Sequence, residues 1–84
     1  MEDKLAREFA RSIYKWLKQD GQLQAVMSRQ RRIREQKSFL HFYYLRGFMT
    51  RAELNDTLRE LRETEIRLKV IFTSRIVKLW KDRR

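Results

Sequence analysis

Leu54, Leu58, Leu61, Leu68, Phe72, Ile76 and Leu79 recur at intervals of mostly three and four, which lines them along one face of a helix. No glycine or proline interrupts the chain after Thr50. The pattern therefore predicts one helix over about residues 50–81, roughly 45 Å long at about 1.5 Å per residue. Thr50 followed by Glu53 is a capping box, which supplies acceptors to the backbone N–H groups that a helix start leaves unpaired. A helix of this length in so short a chain has to bury its stripe against the remaining residues or against another copy.

Two further helices precede it. Over residues 2–19, Leu5, Phe9, Ile13 and Trp16 form a stripe widened by Ala6, Ala10 and Leu17. Glu2 and Asp3 lie at its start and Lys15 and Lys18 near its end, which complements a helix dipole. Asp20-Gly21 reads as the stop, with Gly21 closing the helix in a left-handed conformation. A second helix follows over about residues 22–46. At 100° per residue Val26, Ile33, Leu40 and Tyr44 fall on one line, flanked by Leu23 and Tyr43. Ser28 allows a kink, and Gly47 ends the segment. Short connections favour antiparallel neighbours, which sets Ile33 roughly opposite Thr64.

Two stretches carry more apolar residues than one packed face needs. Phe39 and Phe42 lie on the side of the second helix away from its stripe. Beyond Glu65 the third helix gains a second apolar line, Ile66, Val70 and Val77, with Trp80 between the two lines. One neighbouring helix cannot cover both, so Phe39, Phe42, Ile66, Val70, Val77 and Trp80 are the expected protein-interface residues. The fold class expected is all-α, a single three-helix domain over residues 1–84 with a long C-terminal helix, assembled as an intertwined or side-by-side homodimer.

Composition sharpens this picture in two ways. The chain holds no proline, no cysteine and only two glycines, Gly21 and Gly47, which excludes disulfides and thiolate metal sites and fits an all-helical chain. Its formal charge is +10, from 21 Lys and Arg against 11 Asp and Glu. Such an imbalance in a small domain points to a polyanionic partner, nucleic acid before an anionic membrane surface. The start, MEDKLAREF, has no apolar core of a signal peptide, and no run of about 18 apolar residues exists to span a membrane. The expected location is therefore cytoplasmic, nucleoid or nuclear.

The positive charge is concentrated in two blocks, Arg29–Lys37 and the C-terminal turns, while residues 50–66 are net acidic. The stretch SRQRRIREQK resembles the arginine-rich helices with which some small proteins grip RNA or DNA, a resemblance of ten residues that specifies no family. Guanidinium forks meet phosphates in pairs, and a helix presents several together. Phe39, Phe42 and Tyr43 follow it and can stack on unpaired bases. The competing reading is a solvated, salt-bridged face in which the block is neutralised by Glu60–Glu65 across the hairpin. The tail VKLWKDRR has no such counterweight, although its bases also complement a helix C-terminus. The expected nucleic-acid contacts are Arg29, Arg31, Arg32, Arg34, Lys37 and Arg46, with Lys78, Lys81, Arg83 and Arg84 as a second patch.

Other chemistries find little support in the residues. A helix-turn-helix over Phe39–Leu61 would open its recognition helix with Glu53, Asp56 and Glu60, which phosphate repels. His41 is the sole histidine, so a zinc site is not expected and His41 reads as a packed or half-exposed structural residue. Glu60, Glu63 and Glu65 belong to a helical charge mosaic, with no nucleophile–base arrangement beside them. No catalysis and no cofactor are expected. The function expected is a non-enzymatic nucleic-acid-binding accessory or regulatory protein. The alternative is a small helical protein-interaction module, a subunit, adaptor or inhibitor.

Overall fold

The computed structural model describes residues 2–83. Within them the chain forms three α-helices and nothing else regular: α1 (Glu2–Gln19), α2 (Gly21–Leu45) and α3 (Arg51–Asp82). α2 runs unbroken through Ser28.

Each break has a local cause. Asp20 alone separates α1 from α2. It leaves the helical region at φ −84° and ψ 116°, and its side chain accepts the backbone N–H of Leu23 at 3.0 Å. Asp20 is thus an N-cap, and Gly21 is the first residue of α2 instead of a left-handed stop; no positive φ occurs there. Across the same corner the Gln24 side chain donates to the Lys18 carbonyl, one of those the end of α1 leaves open. The second break is different. Gly47 has φ +79°, its N–H donates to the Tyr44 carbonyl at 3.0 Å, and the Phe48 N–H reaches back to Tyr43 at 3.0 Å. These paired bonds and the Tyr43–Phe48 ring contact at 6.0 Å form a Schellman closure. α3 then starts on Thr50, whose Oγ1 accepts the Glu53 N–H at 3.1 Å. The Glu53 carboxylate accepts from the Thr50 hydroxyl, where a full capping box would have it take the Thr50 backbone N–H.

Space around Gly47 is open, with nothing within 4 Å of a built Cβ. The demand for glycine is therefore conformational, not steric. Gly47→Val should cost about 1 kcal/mol or more, read as a lower urea midpoint. An unchanged midpoint would mean the hinge does not hold this conformation.

α2 and α3 pack antiparallel around Val26, Ile33 and Leu68, with Leu61 and Phe72 against them. Leu23, Leu54 and Ile76 complete the buried set, and no polar side chain is buried among the described residues. α1 shares the Asp20 corner with α2, and its aromatic contacts fall on the far end of α3: the Phe9 ring meets Trp80 edge-on at 4.8 Å and Trp16 meets the same ring at 6.4 Å. From Glu8 to Asp20 the chain lies against Arg75, Trp80 and Arg83 near the end of α3.

Asp20 ties all three helices together. Besides capping α2, it accepts Arg75 Nη2 at 2.7 Å and Arg75 Nε at 3.2 Å, a two-pronged ion pair from α3. The Arg75 hydrogen bonds, then the Leu23 N–H, hold the Asp20 carboxyl below its ordinary value of 3.8. A carboxylate depressed in the folded state stabilises fully above its unfolded value and loses that contribution as pH falls through the folded one. Asp20→Asn should therefore lower Tm at pH 7, and the gap to the unmodified protein should shrink below pH 3.8. A gap independent of pH would show that charge at Asp20 is immaterial.

The resulting body is long and thin, 55 × 25 × 16 Å, with a radius of gyration of 17.5 Å. A compact chain of this length has a radius near 12 Å. Its accessible surface is 7258 Å², against about 5,400 Å² for a globular monomer of this mass.

Candidate nucleic-acid interface

Antiparallel pairing of α2 with α3 decides where the first basic block goes. Ile33 packs on Leu68 and lies beside Leu61 and Thr64, so the block does pass alongside the acidic half of α3. Only one of its members is tied down. Lys37, half-buried, forms an ion pair with the half-buried Glu65. Arg29, Arg31, Arg32 and Arg34 are exposed and make no ion pair with a described residue.

These four arginines do not share one face. Gln22, Ala25, Arg29, Arg32, Gln36 and Tyr43 follow one flank of α2, and the facing flank of α3 carries Thr57, Thr64, Ile71, Arg75 and Lys78. By the 100° step Arg31 points outward and Arg34 lies on the opposite flank. The groove between the two flanks changes character along its length. One part is lined by Arg29, Arg32, Ser28 and Thr64, and the next by Phe39, Leu40, Tyr43 and Thr57, with Gln36 and Leu61 common to both. Charge thus gives way to aromatic surface between two adjoining depressions.

The aromatic end is a cluster. Phe39 lies 6.0 Å and Phe42 6.4 Å from the Tyr43 ring, which also meets Phe48. Phe39 is 61 % and Phe48 74 % exposed. Arg46, the C-cap of α2, stacks its guanidinium over the Phe42 ring at 4.9 Å. His41 is exposed and not packed into the helix stripe.

The C-terminal patch is less uniform than its sequence. Lys78 and Lys81 are exposed. Arg83 lies over Trp80 at 3.8 Å and reaches Glu8 at 3.5 Å, so its charge is shared with α1. Arg84 lies outside the described residues. Trp80 is placed with the chain's own packing: its ring is half-buried against Phe9 and Trp16, not presented as an outer interface residue. Ile66, Val70 and Val77 are exposed on the outer side of α3.

Sequence reasoning missed Gln36 and the groove flank of Tyr43, because which side of α2 borders α3 depends on the pairing. The Asp20–Arg75 pair did have a signal: Asp directly before a helical stretch is a favoured N-cap. Comparison with protein-family models, curated proteins and solved structures finds no match for this chain. Among the described residues no helix is long and apolar enough to cross a membrane.

Proposed function

We propose that this chain is a non-enzymatic nucleic-acid-binding accessory or regulatory protein, working as a homodimer in the cytoplasm or with the nucleoid or nucleus. The observation that carries the reading is that Arg29, Arg31, Arg32 and Arg34 stay exposed, with no ion pair to a described residue, although an acidic helix segment runs alongside them. The acid of that segment that meets α2, Glu65, pairs with Lys37 and not with the guanidinium groups. Those groups remain available as phosphate donors, in a chain of net charge +10. Arg29 and Arg32 border a depression that adjoins, across Gln36 and Leu61, the one lined by Phe39 and Tyr43. Phosphate on the first part and an unpaired base on the second is the arrangement of a single-strand site.

A second reading rests on the aromatic cluster itself. Phe39, Phe42, Tyr43 and Phe48 are all exposed, and a contiguous apolar patch equally suits a partner protein. Binding to random-sequence duplex DNA and single-stranded RNA across a salt titration separates the two. Affinity that falls steeply with salt supports the first reading. No binding even at low salt removes it and leaves the second.

A further inference from the structure

We infer that the outer face of α3, the strip Ile66–Val70–Thr73–Val77, pairs with the same strip of a second copy of this chain in antiparallel register. The inference rests on the homodimer reading and gives it a surface and an orientation.

The spacing of the strip is four, three, four, which is the seam of a helix that pairs with another helix. All four side chains are exposed, Ile66 at 57 % and Val70 at 61 %. Shallow depressions lie along the strip, one bordered by Ile66, Val70 and Thr73 and the next by Thr73, Val77 and Lys81. A β-branched knob from a facing helix fits a hole of that kind. The seam is bounded at both ends. The next position toward the N-terminus is Glu63, and the next toward the C-terminus is Trp80, whose ring is engaged by Phe9 and Trp16. The apolar part is therefore about three turns long.

Charge selects the orientation. Glu60 and Glu63 stand at one end of the strip and Lys81 at the other, all exposed. In an antiparallel pair Ile66 packs on the partner's Val77, Val70 on the partner's Thr73, and Lys81 comes beside the partner's Glu60 and Glu63. The two-fold axis makes each of these pairings twice. A parallel pair would instead set Glu63 against the partner's Glu63 and Arg62 against the partner's Arg67, which is unfavourable at both levels.

This pairing leaves the basic face free. α2 packs on the opposite side of α3 from the strip, and the Ile33–Leu68 contact sets its arginines at the level of the dimer's midpoint. Two arginine blocks then stand level with each other on the outer flanks of a four-helix layer.

Because the chain has no cysteine, single introduced thiols report the register. The expected result is that an oxidised mixture of Ile66→Cys and Val77→Cys chains gives a covalent heterodimer, while neither variant alone links to itself. Self-linking of Ile66→Cys overturns the antiparallel register but leaves the dimer standing. A monomer at every concentration in sedimentation of the unmodified protein overturns both. Val70→Glu with Val77→Glu should abolish the dimer with helical circular dichroism retained; a dimer that survives this pair of changes places the interface elsewhere and overturns the inference.

Discussion

Leu68→Ala should cost about 3 kcal/mol, lowering Tm by about 15 °C. The reason is how little core there is. Leu68 is one of six buried apolar side chains among the described residues and stands between Val26 and Ile33 at the centre of the α2–α3 packing. Removing it deletes the transfer energy of a buried leucine and leaves a void that two straight helices close poorly. A chain of this size holds roughly 4–13 kcal/mol in total, so one residue carries a large share. Leu5→Ala is the control: Leu5 is 53 % exposed on α1 and should change stability by less than about 0.5 kcal/mol. The variants are compared at one chain concentration, since association makes melting depend on concentration. Equal effects at the two positions would mean that the α2–α3 seam is not the stabilising core.

The other large effect concerns binding. Changing Arg29, Arg31, Arg32 and Arg34 together to Gln should flatten the salt dependence of nucleic-acid affinity by roughly one log–log unit for each phosphate no longer neutralised. Stability should barely move, since none of the four forms an ion pair with a described residue. That combination distinguishes a binding face from a structural one. Had the block been neutralised by the acidic segment of α3, the same change would lower the melting temperature and leave the slope alone. Lys37→Gln behaves in the second way, because its partner Glu65 is half-buried beside it. Lys78→Gln with Lys81→Gln should flatten the slope less, because it removes two charges where the arginine variant removes four.

The three helices were legible because their signals are local. Periodic apolar residues, the Thr50–Glu53 pair and the two glycines each act within a few residues of chain. Gly47 shows this well, since a left-handed closure needs only the residue itself and the carbonyls just before it. At Gly21 the same reasoning chose the wrong residue: Asp20 offers a side-chain acceptor, so the break is an N-cap and the glycine enters the helix. What was not legible is long-range. Nothing in the periodicity of α1 says that Phe9 and Trp16 both meet Trp80, so Trp80 read as an outer residue. The candidate site divides in the same manner. Its arginines stand out from composition and charge. Their dispersal around α2, and the adjoining depressions bordered by Arg29 and Arg32 and by Phe39 and Tyr43, follow from the pairing of two helices.

The central claim is that the exposed arginines of α2 bind phosphate. Its most direct test is the log–log slope of affinity against salt, measured side by side for the unmodified protein and the fourfold Arg29, Arg31, Arg32 and Arg34→Gln variant on single-stranded RNA and duplex DNA. A steep slope is expected for the first and a slope shallower by several units for the second, at unchanged Tm. Identical slopes for the two proteins would contradict the claim and remove α2 from the binding surface.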